Sequence, residues 1–173
     1  MIYMSTLIHP KHLAVSLMDK KFISPEKALQ KAESYCAYQE RSQQEVRDKI
    51  YSWGLHRNDV ENILSHLITS GFLKEERFAS TFTRGKFRIK KWGRNKIREA
   101  LRGKKVSETL INKALSEIDE KEYQKTLNEV IQIRAKNIIE KNPLKKIYKI
   151  ASYVISRGFE TELVWETLKE LVD

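Results

Sequence analysis

Between Arg84 and Lys105 the chain carries eleven lysines and arginines and a single acid, Glu99. The whole sequence of 173 residues has 33 basic and 23 acidic residues, a net charge of +10, so residues outside this window are balanced. A located cationic excess does the chemistry of anion recognition, with a polyanion or an acidic protein surface as its partner. Arg84, Arg88, Lys91, Arg94, Lys96, Arg98, Arg102, Lys104 and Lys105 are the candidate contact residues.

No other group of side chains makes a reactive set. The six glycines are dispersed, so no phosphate-cradling loop is present. His9 and His12 stand three apart with no further ligand nearby, and His56 and His66 flank an ordinary amphipathic helix as surface residues. Glu75 and Glu76 fit the first turn of a helix, where acids complement the macrodipole. Cys36, the only cysteine, lies on an apolar helical face beside Tyr35 and reads as an inert core thiol. A single cysteine excludes an internal disulfide and any cysteine-based zinc cluster, and no apolar run reaches the roughly 20 residues that would span a bilayer. These features point to a cytoplasmic, monomeric binding protein that uses no cofactor and no metal, and not to an enzyme.

The elements that position the cations repeat. Val46, Ile50, Leu55, Val60 and Leu64 share one spacing with Ile97, Leu101, Val106, Ile111 and Leu115, and again with Ile150, Val154, Phe159, Val164 and Leu168. The copies lie 51 and 53 residues apart. In each, the first two positions belong to one helix, the last two to the next, and the middle residue packs the turn. Gly54 and Gly158 precede that middle residue, where a helix ends on a left-handed residue. Copy two has Lys105 there and its glycine at Gly103, which predicts a turn of different shape. Units this small cannot bury a core alone and must stack.

Apolar residues recur at three and four throughout, and the expected fold is all-α: three tandem three-helix repeats forming an elongated, curved array. An N-terminal arm covers 1–23, and the repeats cover 24–71, 72–119 (basic) and 120–173. Ser24-Pro25-Glu26 and Asn142-Pro143 are helix starts, and Ser42-Gln43-Gln44-Glu45 is a capping box. The last helix carries Leu163, Val164, Leu168 and Leu171. On the fourth helix Phe78, Phe82 and Ile89 form one stripe, expected inward, with Arg84, Arg88 and Lys91 on another about 140° away. Phe87 belongs to neither: it contacts a neighbouring repeat or stacks on a base or partner surface.

Four ordered blocks resemble a known family: Arg41-Ser42-x-x-Glu45-Val46-x-x-Lys49-Ile50; Gly71 to Ala79; Gly93-x-x-Lys96-Ile97-x-x-x-Leu101; and Tyr153-Val154-x-x-Arg157-Gly158-Phe159. Across roughly Ala28 to Leu171 the chain resembles RecX, the bacterial regulator of the RecA recombinase. Lys74 departs from the acid usual at its position, and the second-copy glycine is displaced. The resemblance implies three tandem three-helix repeats without a catalytic centre. It implies binding to the RecA filament on single-stranded DNA, and inhibition of ATP turnover, strand exchange and filament growth. Two other readings share the fold: a direct DNA-binding protein of helix-turn-helix type, and a helical-repeat adaptor for an acidic protein.

Overall fold

The computed structural model describes residues 23–170. Residues 1–22 of the expected arm, His9 and His12 among them, lie outside the described residues, as does Leu171. The helices are α1 Pro25–Tyr38, α2 Gln43–Tyr51, α3 Arg57–Thr69, α4 Glu75–Lys90, α5 Arg94–Gly103, α6 Glu108–Ser116, α7 Glu120–Asn137, α8 Pro143–Ser156 and α9 Thr161–Glu170. Among the described residues these nine are the only regular elements, and they group by threes. None is long and apolar enough to cross a membrane.

Local chemistry sets the helix ends. Pro25 opens α1 behind the Ser24 cap. Ser42 accepts the Glu45 amide while Glu45 accepts the Ser42 amide, closing a reciprocal capping box worth about 1 kcal/mol. Asn142 accepts the Lys145 amide at the start of α8. All fifteen residues of the repeated frame are buried, the most accessible being Leu55 at 8 %. Their spacing therefore records a packing requirement repeated in each unit.

The three inter-helix turns share a shape, contrary to the expectation for copy two. Gly54 has φ +87, Gly158 +95 and Lys105 +59. Each donates its amide three residues back, to Tyr51, Ile155 and Arg102 respectively. Lys105 thus holds the left-handed position itself, and Gly103, the last residue of α5, enters the turn without a positive φ. The exposed turn tolerates the Cβ cost of roughly 1–2 kcal/mol because the frame on either side fixes it.

The apolar core has two parts. One is closed within α1–α3 and the following Leu73. The other runs without interruption from Phe78 in α4 to Leu168 in α9. Repeats two and three therefore share an interior, while the first has its own.

Backbone contact seals the shared part. Gly93 donates its amide to Arg157 O at 2.9 Å and Asn95 to Gly158 O at 3.0 Å, so the start of α5 sits against the α8–α9 turn. A Cβ at Gly93 would lie 2.2 Å from the Gly158 carbonyl and the Phe159 nitrogen. One at Gly158 would lie 2.3 Å from Lys96 Cβ. Only glycine permits this approach.

Candidate partner-binding face

α4 carries three faces, and its buried one shares only Phe78 with the stripe expected from sequence. Phe78, Ala79, Thr83 and Phe87 are buried, whereas Ile89 is 76 % exposed and Phe82 is half-buried. Of the expected stripe Phe78 is inward, Phe82 partly so, and Ile89 is turned to the surface. Ala79 and Thr83 are small, which lets α6 approach, and their faint apolar signal hid the true interior line. Phe87 takes the first of its two expected roles: its ring stacks on Tyr123 of α7, with centroids 5.8 Å apart.

Tyr123, which the sequence did not single out, is the centre of the repeat-two and repeat-three junction. It is fully buried, packs on Phe159 at 5.2 Å, and lies under the Arg94 guanidinium at 4.0 Å. Its hydroxyl donates to Glu160 at 2.6 Å and accepts the Arg94 amide at 3.0 Å. Burial first, and then the Glu160 carboxylate, hold the phenol well above its ordinary range. Arg94 also pairs with Glu120 at 2.6 Å.

The candidate cations divide by whether the protein already neutralises them. Arg88 pairs with Glu122, Lys91 with Glu129, Arg98 with Glu108, Arg102 with Glu99 and Glu108, and Lys104 with Glu45. With Arg94, that commits six of the eleven basic residues between Arg84 and Lys105. Arg84, Lys86, Lys90, Lys96 and Lys105 have no carboxylate within 4.0 Å among the described residues. Lys86 and Lys90 are absent from the sequence-derived set. Their mutual spacing of four was a usable signal, but they flank the apolar stripe that was read as internal.

Several of these cations alternate with aromatic rings. Lys104 Nζ lies 5.7 Å and Lys86 Nζ 5.1 Å from the centre of Phe82. Lys86 is also 4.9 Å from Trp92, which Lys96 approaches at 5.1 Å. The ladder Lys104–Phe82–Lys86–Trp92–Lys96 runs from Glu45 in the first repeat to the Ser156 carbonyl in the third, which Lys96 reaches at 3.3 Å. Such pairs are worth roughly 0.5–1 kcal/mol each at exposed sites and hold the ammonium groups in place. At the joint, burial raises the Glu45 carboxyl, but the Lys104 ammonium and the Ser42 amide outweigh it and hold the acid below its usual range.

Gly85 stands beside this ladder, mid-helix, where a Cβ would meet nothing within 4 Å. Elsewhere the sequence reading of single residues holds. Burial pushes the Cys36 thiol up to about 11, as for an inert core thiol. Glu75 and Glu76 stand in the first turn of α4, and Glu76 pairs with Lys113.

Stacked three-helix units, with cations and rings spread over α4, α5 and the turn between them, define a helical-repeat protein. Known proteins make the class specific. Residues 28–67 match the first three-helix domain of RecX and residues 75–115 the second. The regulatory protein RecX of Prosthecochloris aestuarii is 30 % identical over 146 residues, covering 84 % of this chain and 94 % of that protein. The regulatory protein RecX of Clostridium tetani is 28 % identical over 135 residues, covering 77 % of this chain and 60 % of that one. The crystal structure of RecX from Lactobacillus salivarius superposes with a TM-score of 0.77 at 22 % identity, covering 85 % of this chain and 96 % of that chain. A second crystal structure, of a regulatory protein RecX, gives 0.78 at 20 % identity over 98 % of this chain and 81 % of that one. The chain belongs to the RecX family of regulatory proteins.

Proposed function

We propose that this protein binds the RecA filament on single-stranded DNA and inhibits its ATP turnover, strand exchange and growth by binding alone, as a cytoplasmic monomer without cofactor or catalytic step. Family membership supports the choice of partner. The observation that carries the mode of action is the cationic face of repeat two, where Arg84, Lys86, Lys90, Lys96 and Lys105 have no carboxylate within 4.0 Å among the described residues and Lys86 and Lys96 stand against the Phe82 and Trp92 rings. A filament inhibitor needs no reaction: contact that favours one arrangement of protomers, or occupies a growing end, shifts assembly by its differential affinity. We take 24–71, 72–119 and 120–173 as the three units, with the middle one making the principal contact through Arg84, Lys86, Lys90, Lys96 and Lys105. Of the paired members, Arg88, Lys91 and Arg94 join repeats two and three and Lys104 joins repeats one and two, while Arg98 and Arg102 pair within repeat two.

A helix-turn-helix reader of duplex DNA fits less well. The third helices, which such a reader would place in the groove, carry few cations, and Lys113 of α6 is bound to Glu76. Affinity measured against salt separates the cases. Binding to naked single strands should be weak beside binding to the filament, and each phosphate neutralised would add about −0.7 to the slope of log affinity on log salt. Tight, salt-steep binding to bare DNA equal to that for the filament would overturn the proposal.

A further inference from the structure

An open groove of about 490 Å³ lies between the first repeat and α4. Its floor is Phe78, Phe82 and Ile89 with Gly85 among them, and Lys86 and Lys90 stand along the α4 side. Lys104, Glu40 and Glu45 form part of its lining where the first repeat faces α4.

Three features define what fits there. Ile89 exposes most of its aliphatic side chain, so the apolar floor is open at its Ile89 end. Gly85 has an ordinary helical φ, and no neighbour requires the missing Cβ, so its consequence is depth at the middle of the groove. The uncommitted ammonium groups of Lys86 and Lys90 border this apolar floor, a complement to carboxylates. Nucleobases fit less well, because Lys86 and Lys104 already lie against the Phe82 ring and Lys86 and Lys96 against Trp92, where a stacked base would compete with the ammonium groups.

We infer that the groove receives an acidic amphipathic segment of the filament's protein. An aliphatic or aromatic side chain seats over Gly85 between Phe82 and Ile89, and carboxylates on either side of it meet Lys86 and Lys90. This inference rests on the filament reading above and gives Lys86 and Lys90, within the face proposed there, a specific protein contact.

The test uses the full chain and RecA filaments assembled on poly-dT with a slowly hydrolysed ATP analogue. A benzophenone amino acid at Ile89 should crosslink on illumination to the recombinase, at a peptide containing Asp or Glu beside apolar residues. Crosslinks to DNA alone, or none to either component, would overturn the inference. Ile89→Glu, at an exposed position with no reason to unfold, and Gly85→Leu, which fills the groove, should each weaken filament binding at least tenfold with unchanged helix content. Gly85→Ala should weaken it no more than threefold. If the wild-type chain binds filaments and both Ile89→Glu and Gly85→Leu bind equally well, the groove assignment falls alone. If the wild-type chain does not bind them, the functional proposal falls with it.

Discussion

Three glycine-to-alanine substitutions should differ in sign and size for reasons fixed by their surroundings. At Gly93, φ −74 and ψ 166 suit alanine, so backbone strain plays no part. The new Cβ would lie 2.2 Å from backbone atoms of Gly158 and Phe159, well inside the 3.4–4 Å of ordinary contact. Relief requires the α5 start and the α8–α9 turn to separate by more than 1 Å, which breaks the 2.9 and 3.0 Å amide bonds between them. Overpacking costs about 1–3 kcal/mol and each lost hydrogen bond about 1 kcal/mol net, so Gly93→Ala should destabilise by about 3–5 kcal/mol. For a chain of this length that lowers the melting temperature by roughly 6–20 °C. Gly71→Ala faces only its left-handed φ of +79, with its nearest neighbour the flexible Lys74 Cε at 3.6 Å, and should cost roughly 1–2 kcal/mol. Gly85→Ala meets nothing and should gain about 1 kcal/mol from helix propensity. Urea and thermal unfolding followed by circular dichroism measure all three. A Gly93→Ala protein as stable as Gly71→Ala would refute the sealed junction between repeats two and three.

Phe87→Ala should lose about 3–5 kcal/mol by emptying the site beside Tyr123, while Ile89→Ala changes stability by less than about 0.5 kcal/mol; the reverse order would restore the α4 phase first expected. Val154→Asp should unfold the third repeat in circular dichroism, because an unpaired carboxylate in that interior costs several kcal/mol. The buried Cys36 thiol, raised from 9.0 to about 11, favours its neutral form in the folded state, so its contribution is complete below pH 9 and lost as pH rises from 9 to 11. Thiol reagent at pH 8 should therefore label Cys36 only as the first repeat opens, with Phe87→Ala leaving the rate within a few-fold of wild type because the cores are separate; labelling as fast as an unfolded peptide would refute burial. Reversing Arg84, Lys86 and Lys90 together should weaken filament binding more than reversing the already paired Arg98 and Arg102, measured by fluorescence anisotropy at two salt concentrations.

The repeated frame was legible because each of its fifteen positions answers one packing demand, and a demand met three times at constant spacing is visible in a single sequence. The caps at Ser24, Ser42 and Asn142 were legible for a similar reason, since their partners lie three residues away. Features that depend on distant residues were not. Lys104 finds Glu45 across 59 positions, Arg94 finds Glu120 across 26, and Lys96 finds the Ser156 carbonyl across 60, so a local charge count could not separate committed from free cations. The α4 interior was misjudged because hydrophobicity ranks Ile89 above Thr83, while close packing against α6 ranks size first. Lys105 was misjudged because glycine is only the cheapest left-handed residue, and the frame around the second turn imposes the conformation on lysine.

The most direct measurement of the central claim is ATP turnover by RecA on single-stranded DNA, with this chain added well below one per recombinase subunit. A steep fall in turnover at those ratios is expected, and it should be blunted in the Arg84, Lys86 and Lys90 reversal. Unchanged turnover, together with tight and salt-sensitive binding to bare DNA, would contradict the account and leave the family fold attached to a different partner.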